Sequence, residues 1–239
     1  MRWNLQEVIS RADTLYGARE QAENVRACVA LLEATEAYAD YETAWRLGRA
    51  LFFLGQEAAA AEQQQQRKEE ARLLHARGAR ACKQAVRREP SRVEGHFWLG
   101  VNLALEAQAS TSLIVALVLA LRARCSLERA ARINPAYHGA GPLRVLARLK
   151  HKLPRFAGGG MIRARACFES AIEIAPANTV TRLYFAEMLL EAGDQRGAQS
   201  ELETILNTPL DAAWAFETVR DCRIAREMLQ RMKSSARQE

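Results

Sequence analysis

The sequence has few of the residues that turn-rich and membrane-spanning folds require. Its 239 residues include only 13 glycines and six prolines, too few for the many tight turns of an all-β protein. The most apolar run, residues 113–121, is about half as long as a bilayer span. We therefore expect this run to form a buried helix. The first residues alternate charged and apolar side chains and lack the apolar core of a secretory signal.

Residues of catalytic and metal sites are also sparse. Four scattered histidines form no HExxH motif, and the glycine-rich "AGGGMIRAR" lacks the Gly-Lys-Ser/Thr of a nucleotide-binding loop. This stretch is better read as a connection than as an anion site. No CxxC pair occurs, so free thiols are favoured over a zinc or redox site. The five cysteines are Cys28, Cys82, Cys125, Cys167 and Cys222. We expect no cofactor, no metal and no enzyme activity.

Helix-forming residues dominate what is present. Ala, Leu, Glu, Arg and Gln are abundant and 49% of the residues are hydrophobic, which is ample for a buried core. Net charge is +6, and no carboxylate occurs between Glu128 and Glu169. The basic stretch 129–165 predicts a solvated surface. Non-specific contact with nucleic acid stays open on electrostatic grounds, but no motif for specific nucleic-acid binding is present.

Three helical segments end at Pro90, Pro135 and Pro176 and repeat one pattern. A small residue lies twelve positions before each proline, a larger one eight before and an alanine five before. These spacings place all three on one helix face, where a neighbouring helix can approach closely. The residues are Gly78, Cys82 and Ala85, then Ala123, Leu127 and Ala130, then Ala164, Phe168 and Ala171.

An amphipathic helix precedes each of these segments, so the chain resembles tetratricopeptide helix pairs. Gly48, Gly100 and Ala147 occupy equivalent positions in the first helices, and Gly100 is predicted to be a site of close helix approach. Two repeats are stretched, to 45 and 41 residues between prolines. Unbroken, residues 55–88 would form one helix of roughly 50 Å.

The fold class predicted is all-α, with tetratricopeptide-like helical hairpins forming a short solenoid. We expect a single domain over residues 1–239. Residues 1–40 would form a degenerate N-terminal capping pair, residues 41–207 the stretched hairpins, and residues 208–239 a C-terminal capping helix.

First helices of tetratricopeptide pairs line a concave groove, which predicts a binding surface. Its aromatic end would take the apolar part of a small amphipathic ligand, and its basic end an anionic group. The expected groove residues are Trp45, Arg49, Phe52, Phe97, Val101, Arg144, Arg148 and His151. The alternative is that the arginines pair with carboxylates such as Glu94 or Glu187 and the aromatic residues are core.

Residues 41–221 resemble the TatT family, the T-component of tripartite ATP-independent periplasmic (TRAP) transporters. The most specific part is the Gly-Pro-x-Arg helix start at Gly141, Pro142 and Arg144, followed by Lys-Leu-Pro at residues 152–154 and glycines at 158–160. The regulator of microtubule dynamics family shares the layout and a "YE-x-x-WRL-x-RA" entry, but the Gly-Pro element favours TatT. The resemblance implies a non-enzymatic lipoprotein that forms a trimer and works with a periplasmic solute-binding protein on small, partly hydrophobic ligands.

Two functions therefore compete. The first is a TatT-like accessory of solute uptake, periplasmic by resemblance, although the chain shows no leader or lipid-attachment cysteine. The second is a cytoplasmic adaptor that holds a peptide or protein in its concave groove, which a native start at Met1 would favour.

Overall fold

The computed structural model describes residues 4–34, 40–60 and 64–235, and all regular elements in these ranges are helical. The α-helices are α1 (Leu5–Gly17), α2 (Ala22–Ala34), α3 (Tyr41–Ala60), α4 (Gln64–Arg88), α5 (Val93–Ala109), α6 (Leu113–Ile133), α7 (Tyr137–Lys152), α8 (Met161–Ile174), α9 (Thr179–Glu191), α10 (Gln195–Asn207) and α11 (Ala215–Ser235). Short 3-10 turns span Arg155–Ala157 and Ala212–Trp214. The predicted all-α helical-repeat fold class is confirmed.

Local sequence signals set the helix bounds. Helices α4, α6 and α8 each end two residues before Pro90, Pro135 or Pro176, because the residue before a proline is driven out of the helical conformation. At the start of α9 the side chain of Asn178 accepts a hydrogen bond from the backbone N–H of Thr181 (3.0 Å), and Asp194 caps α10 in the same way. Such caps satisfy amides that have no partner inside the helix.

The chain divides into two compact units, Met1–Asn134 and Pro135–Glu239. In the first unit α3 packs against α4 and α5 against α6, with α1 and α2 packed together ahead of them. In the second unit α7 packs against α8 and α9 against α10, and α11 packs against α9 and α10. Two consecutive repeat hairpins thus lie in each unit, after the α1–α2 pair in the first unit and before α11 in the second.

The predicted small-large-small stripe is buried in every hairpin that carries it. All nine residues, from Gly78 to Ala171, lie in the interior. The hairpin α9–α10 repeats the pattern with Ala198, Leu202 and Ile205, each of which has no exposed surface. The register read from the three prolines is therefore confirmed.

At each crossing the first helix of the hairpin contributes a small residue, glycine or alanine. A Cβ atom built on Gly48 would lie 2.1 Å from Cys82 Sγ, and one on Gly100 would lie 2.6 Å from Leu127 Cγ. No neighbour can absorb such distances without moving. Ala147 packs in the same way with Phe168. The predicted close helix approach at Gly100 is confirmed, and it fixes which face of each first helix is turned away from its partner.

The expectation that residues 113–121 are buried is wrong for the first turns of α6. Leu113 is 88% exposed and Ile114 79%, and burial begins only at Leu119. An apolar run predicts burial only where another element covers it, and none of the described helices covers this end. The predicted long helix over residues 55–88 crosses residues 61–63, which lie outside the described residues; on either side of them α3 extends to Ala60 and α4 begins at Gln64. Among the helices described, none has the length and apolar character needed to cross a bilayer.

Candidate functional site

The predicted groove residues lie on three first helices. Trp45, Arg49 and Phe52 are on α3 and Phe97 and Val101 on α5, all in the first unit. Arg144, Arg148 and His151 follow one another on α7 in the second unit. The predicted set is therefore divided between the two units.

In the first unit Arg49 is held by an acid and by two rings. Its guanidinium donates to Asp13 Oδ1 at 2.7 Å and lies 3.9 Å from the centroid of Tyr16 and 5.0 Å from that of Trp45. Burial acts to raise the pKa of Asp13, but the hydrogen bonds from Arg46 and Arg49 outweigh it and hold this pKa below its ordinary value. The arginine is therefore paired and stacked inside the first unit.

The aromatic residues of this unit centre on Trp98, which the sequence pattern did not place in the groove. Phe52 packs on Trp98 with ring centroids 5.3 Å apart, and Phe97 packs on it at 4.8 Å. Phe97 and Val101 are 2% and 5% exposed, so both belong to the interior. Phe52 is half-buried and keeps ring surface open to solvent.

Trp45 and its neighbours form an ion-pair network across α3 and α5. Its indole N–H donates to Glu42 Oε2 at 3.0 Å, and that carboxylate also pairs with Arg46. Arg92 bridges Glu42 and Glu94. The sequence shows where these two carboxylates lie, but which residues of other helices pair with them is visible only in the fold.

In the second unit Arg144 points inward and is 4% exposed. It donates to the carbonyl of Gly139 at 2.8 Å and to Asn178 Oδ1 at 3.2 Å. Burial lowers its pKa to about 10. All the acceptors within hydrogen-bond distance are neutral, so this arginine acts as a clamp inside the unit and not as an open binding group.

Arg144 clamps an unusual turn. His138, Gly139 and Ala140 have φ values of 52°, 59° and 57°, a left-handed run that costs non-glycine residues energy. A Cβ atom on Gly139 would lie 2.8 Å from Asn178 Nδ2 and 3.0 Å from a ring atom of Trp214. Regular helix resumes at Gly141 with Pro142 in its first turn, as the Gly-Pro-x-Arg reading predicts.

Arg148 and His151 face α9, where they meet two carboxylates. Arg148 pairs with Glu187 and lies 4.6 Å from the centroid of Tyr184. His151 Nε2 lies 3.0 Å from Glu191 Oε2, and the ammonium of Lys152 lies 2.6 Å from the other oxygen of Glu191. We call these residues the α7–α9 strip: Arg148, His151, Lys152, Tyr184, Glu187 and Glu191.

Two properties of His151 stand out in this strip. Its side chain is only 2% exposed, and its Nδ1 atom is buried without a hydrogen-bond partner among the described residues. Burial, with Lys152 nearby, lowers its pKa below the ordinary value. The ring is therefore neutral at neutral pH, and with Nε2–H directed to Glu191 it offers an unused acceptor at Nδ1.

The structure thus separates the predicted residues into three groups. Trp45, Phe97, Val101 and Arg144 are interior residues, and Arg49 is partly buried and paired with Asp13. Phe52 and Arg148 are partly exposed, the His151 side chain is buried next to Glu191, and the ligand-binding role of the set stays a prediction. Within the described ranges no three His, Cys, Asp or Glu side chains are placed to hold a metal ion.

Comparison with known proteins agrees with this fold and these motifs. The sequence profile of the TRAP transporter T-component family, TAtT, matches residues 32–234. A thermophilic tetratricopeptide-repeat protein of Thermus thermophilus superposes with a TM-score of 0.66 at 19% identity, over 91% of this chain and 98% of that one. Yeast Tom70 is similar at a TM-score of 0.34 and 12% identity, over 94% of this chain and 59% of that one. No curated protein sequence matches.

Proposed function

This chain belongs to the TRAP transporter T-component family, and from that membership we propose that it is a non-enzymatic accessory of TRAP-type solute uptake. It binds a periplasmic solute-binding protein and a small amphipathic ligand that carries an anionic group. The family match over residues 32–234 is the observation that carries the proposal. The helical-repeat fold supports a role in protein–protein interaction, since such folds present extended surfaces to partners.

The α7–α9 strip is the part of the second unit that suits an anionic group. The Arg148 and Glu187 side chains are 34% and 31% exposed, and ion pairs this open contribute only about 0–1 kcal/mol. A ligand carboxylate can therefore replace Glu187 on Arg148 at little cost and gain two parallel hydrogen bonds from the guanidinium.

Phe52 is the member of the predicted set in the first unit that suits an apolar group. Phe52 packs on Trp98 and is partly buried, so the apolar part of a ligand can cover its remaining exposed surface and remove that surface from water. This contact is a separate proposal with its own variant, Phe52→Ala. Its outcome does not depend on the outcome for Arg148.

We expect dodecanoate to bind with an affinity that depends on Arg148. In calorimetric titration, Arg148→Ala should raise the Kd about ten-fold, because the charge-assisted hydrogen bonds from its guanidinium are lost. Dodecylammonium, which has the same chain and the opposite charge, should not bind measurably. The matched control is Arg196→Ala, an exposed arginine of the same unit with no ion pair among the described residues.

Arg196→Ala should leave the Kd of dodecanoate within about two-fold. Equal losses of affinity in Arg148→Ala and Arg196→Ala would show that the effect comes from general surface charge. Equal binding of dodecanoate and dodecylammonium would exclude recognition of the anionic group.

A further inference from the structure

The loop between α7 and α8 exposes two large apolar side chains. Phe156, in the 3-10 turn, is 84% exposed, and Ile162, in the first turn of α8, is 85% exposed. Other exposed apolar side chains of this unit, Leu210 and Val219, reach only 64% and 63%. We call residues 154–163 the α7–α8 loop.

The backbone of this loop is fixed by its own hydrogen bonds. The N–H of Gly159 donates to the carbonyl of Pro154 at 3.1 Å, and that of Gly160 donates to the carbonyl of Lys150 at 2.9 Å. A Cβ atom on Gly159 would lie 1.8 Å from the carbonyl oxygen of Leu153, so only glycine fits there. The two apolar side chains are therefore carried by a preformed loop. Binding through them loses little backbone conformational entropy.

Two cations flank the apolar pair without carboxylate partners. Arg155 and Arg163 form no ion pair with any described residue, and Arg163 donates only to the carbonyl of Gly159, at 3.1 Å. Neighbouring cations are occupied: Lys152 pairs with Glu191, and Arg165 with Asp194. The sequence contributes no carboxylate between Glu128 and Glu169. The α7–α8 loop thus presents two strongly exposed apolar side chains, each next in sequence to an arginine that has no ion pair among the described residues.

We propose that the α7–α8 loop docks on an anionic bilayer surface. Phe156 and Ile162 enter the interfacial region, while Arg155 and Arg163 contact lipid phosphates. A protein partner would need a complementary surface of about 800 Å² on each side, far more than two isolated apolar side chains supply. A bilayer accepts a small apolar tip without shape complementarity and attracts the unpaired cations. This inference is independent of the ligand proposed above.

Co-sedimentation with lipid vesicles tests the proposal. The chain should bind vesicles of phosphatidylcholine with phosphatidylglycerol about ten-fold more tightly than vesicles of phosphatidylcholine alone, and added salt should weaken the binding. Phe156→Ser/Ile162→Ser should lower binding to the anionic vesicles by about ten-fold or more, because the apolar tip is lost. Arg155→Gln/Arg163→Gln should lower it by a similar factor and remove the preference for anionic lipid.

The chain offers a matched control for each pair. Leu210→Ser/Val219→Ser removes exposed apolar side chains elsewhere in the unit, and Arg196→Gln/Arg226→Gln removes two exposed arginines that have no ion pair among the described residues. Both controls should bind within about two-fold of the wild type. Failure of the wild type to prefer anionic vesicles would overturn the proposal. Equal losses in loop and control variants would overturn it as well.

Discussion

Phe168→Ala should lower the free energy of unfolding by roughly 3–5 kcal/mol, the usual cost of removing a buried phenylalanine. Phe168 has no exposed surface, and its ring stacks on Phe185 with centroids 5.4 Å apart and an interplanar angle of 28°. Ala147 and Ala164 pack around it. Removing the ring from this fully buried cluster therefore leaves a cavity. Urea unfolding followed by circular dichroism measures the change.

The matched control is Phe156→Ala, the other phenylalanine of α7–α8, which is 84% exposed. Its free energy of unfolding should change by no more than about 0.5 kcal/mol. Similar losses in the two variants would show that Phe168 is not at the crossing of α7 and α8.

Acidification should destabilise the first unit through His75, which is 1% exposed. Burial lowers its pKa to about 4, and the contact of its Nδ1 with Asn102 Oδ1, at 3.4 Å, only partly offsets this. The pKa in the unfolded chain is near the ordinary value of about 6.5. The unfolded state therefore takes up the proton first, so stability is complete above about pH 6.5 and falls as the pH drops towards about 4. The loss between about pH 7.5 and pH 5 should be about 2 kcal/mol.

Urea unfolding at the two pH values measures this loss, and His75→Gln is the control. Glutamine keeps a polar group beside Asn102 but does not titrate, so the pH dependence of the free energy of unfolding should shrink by most of that amount. His96 and His151, whose pKa values burial also lowers, contribute equally in both proteins. An unchanged pH dependence in His75→Gln would contradict the burial of a neutral imidazole.

The hairpin register could be predicted because its signals are local. Proline ends a helix within one or two residues, and spacings of four and three place Ala123, Leu127 and Ala130 on one face wherever the helix lies. Exposure of Leu113 and Ile114 could not be predicted in the same way. Whether an apolar face is covered depends on helices distant in sequence, and periodicity carries no information about them.

The candidate site was predicted less fully, for a related reason. The helix assignments of Arg148 and His151 follow from the register, but their carboxylate partners lie about 40 residues away on α9. Arg144 turns inward because a left-handed turn at His138–Ala140 presents carbonyl groups to it. The sequence does not predict that turn, because left-handed residues are usually glycine and two of these three are not. Trp98 was missed because the groove positions were counted only from Gly100.

The central claim is that each hairpin packs a small residue of its first helix against a larger residue of its second helix. The pair Gly100 and Leu127 tests this claim most directly. Gly100→Leu should cost roughly 1–3 kcal/mol by overpacking, and Leu127→Ala roughly 2–5 kcal/mol by leaving a cavity. In the double variant the new leucine can occupy the space that Leu127 vacates. Its loss in the free energy of unfolding should therefore be smaller than the sum of the single losses by about 0.5–3 kcal/mol. Strictly additive losses would show that the two residues do not meet, and would contradict the register.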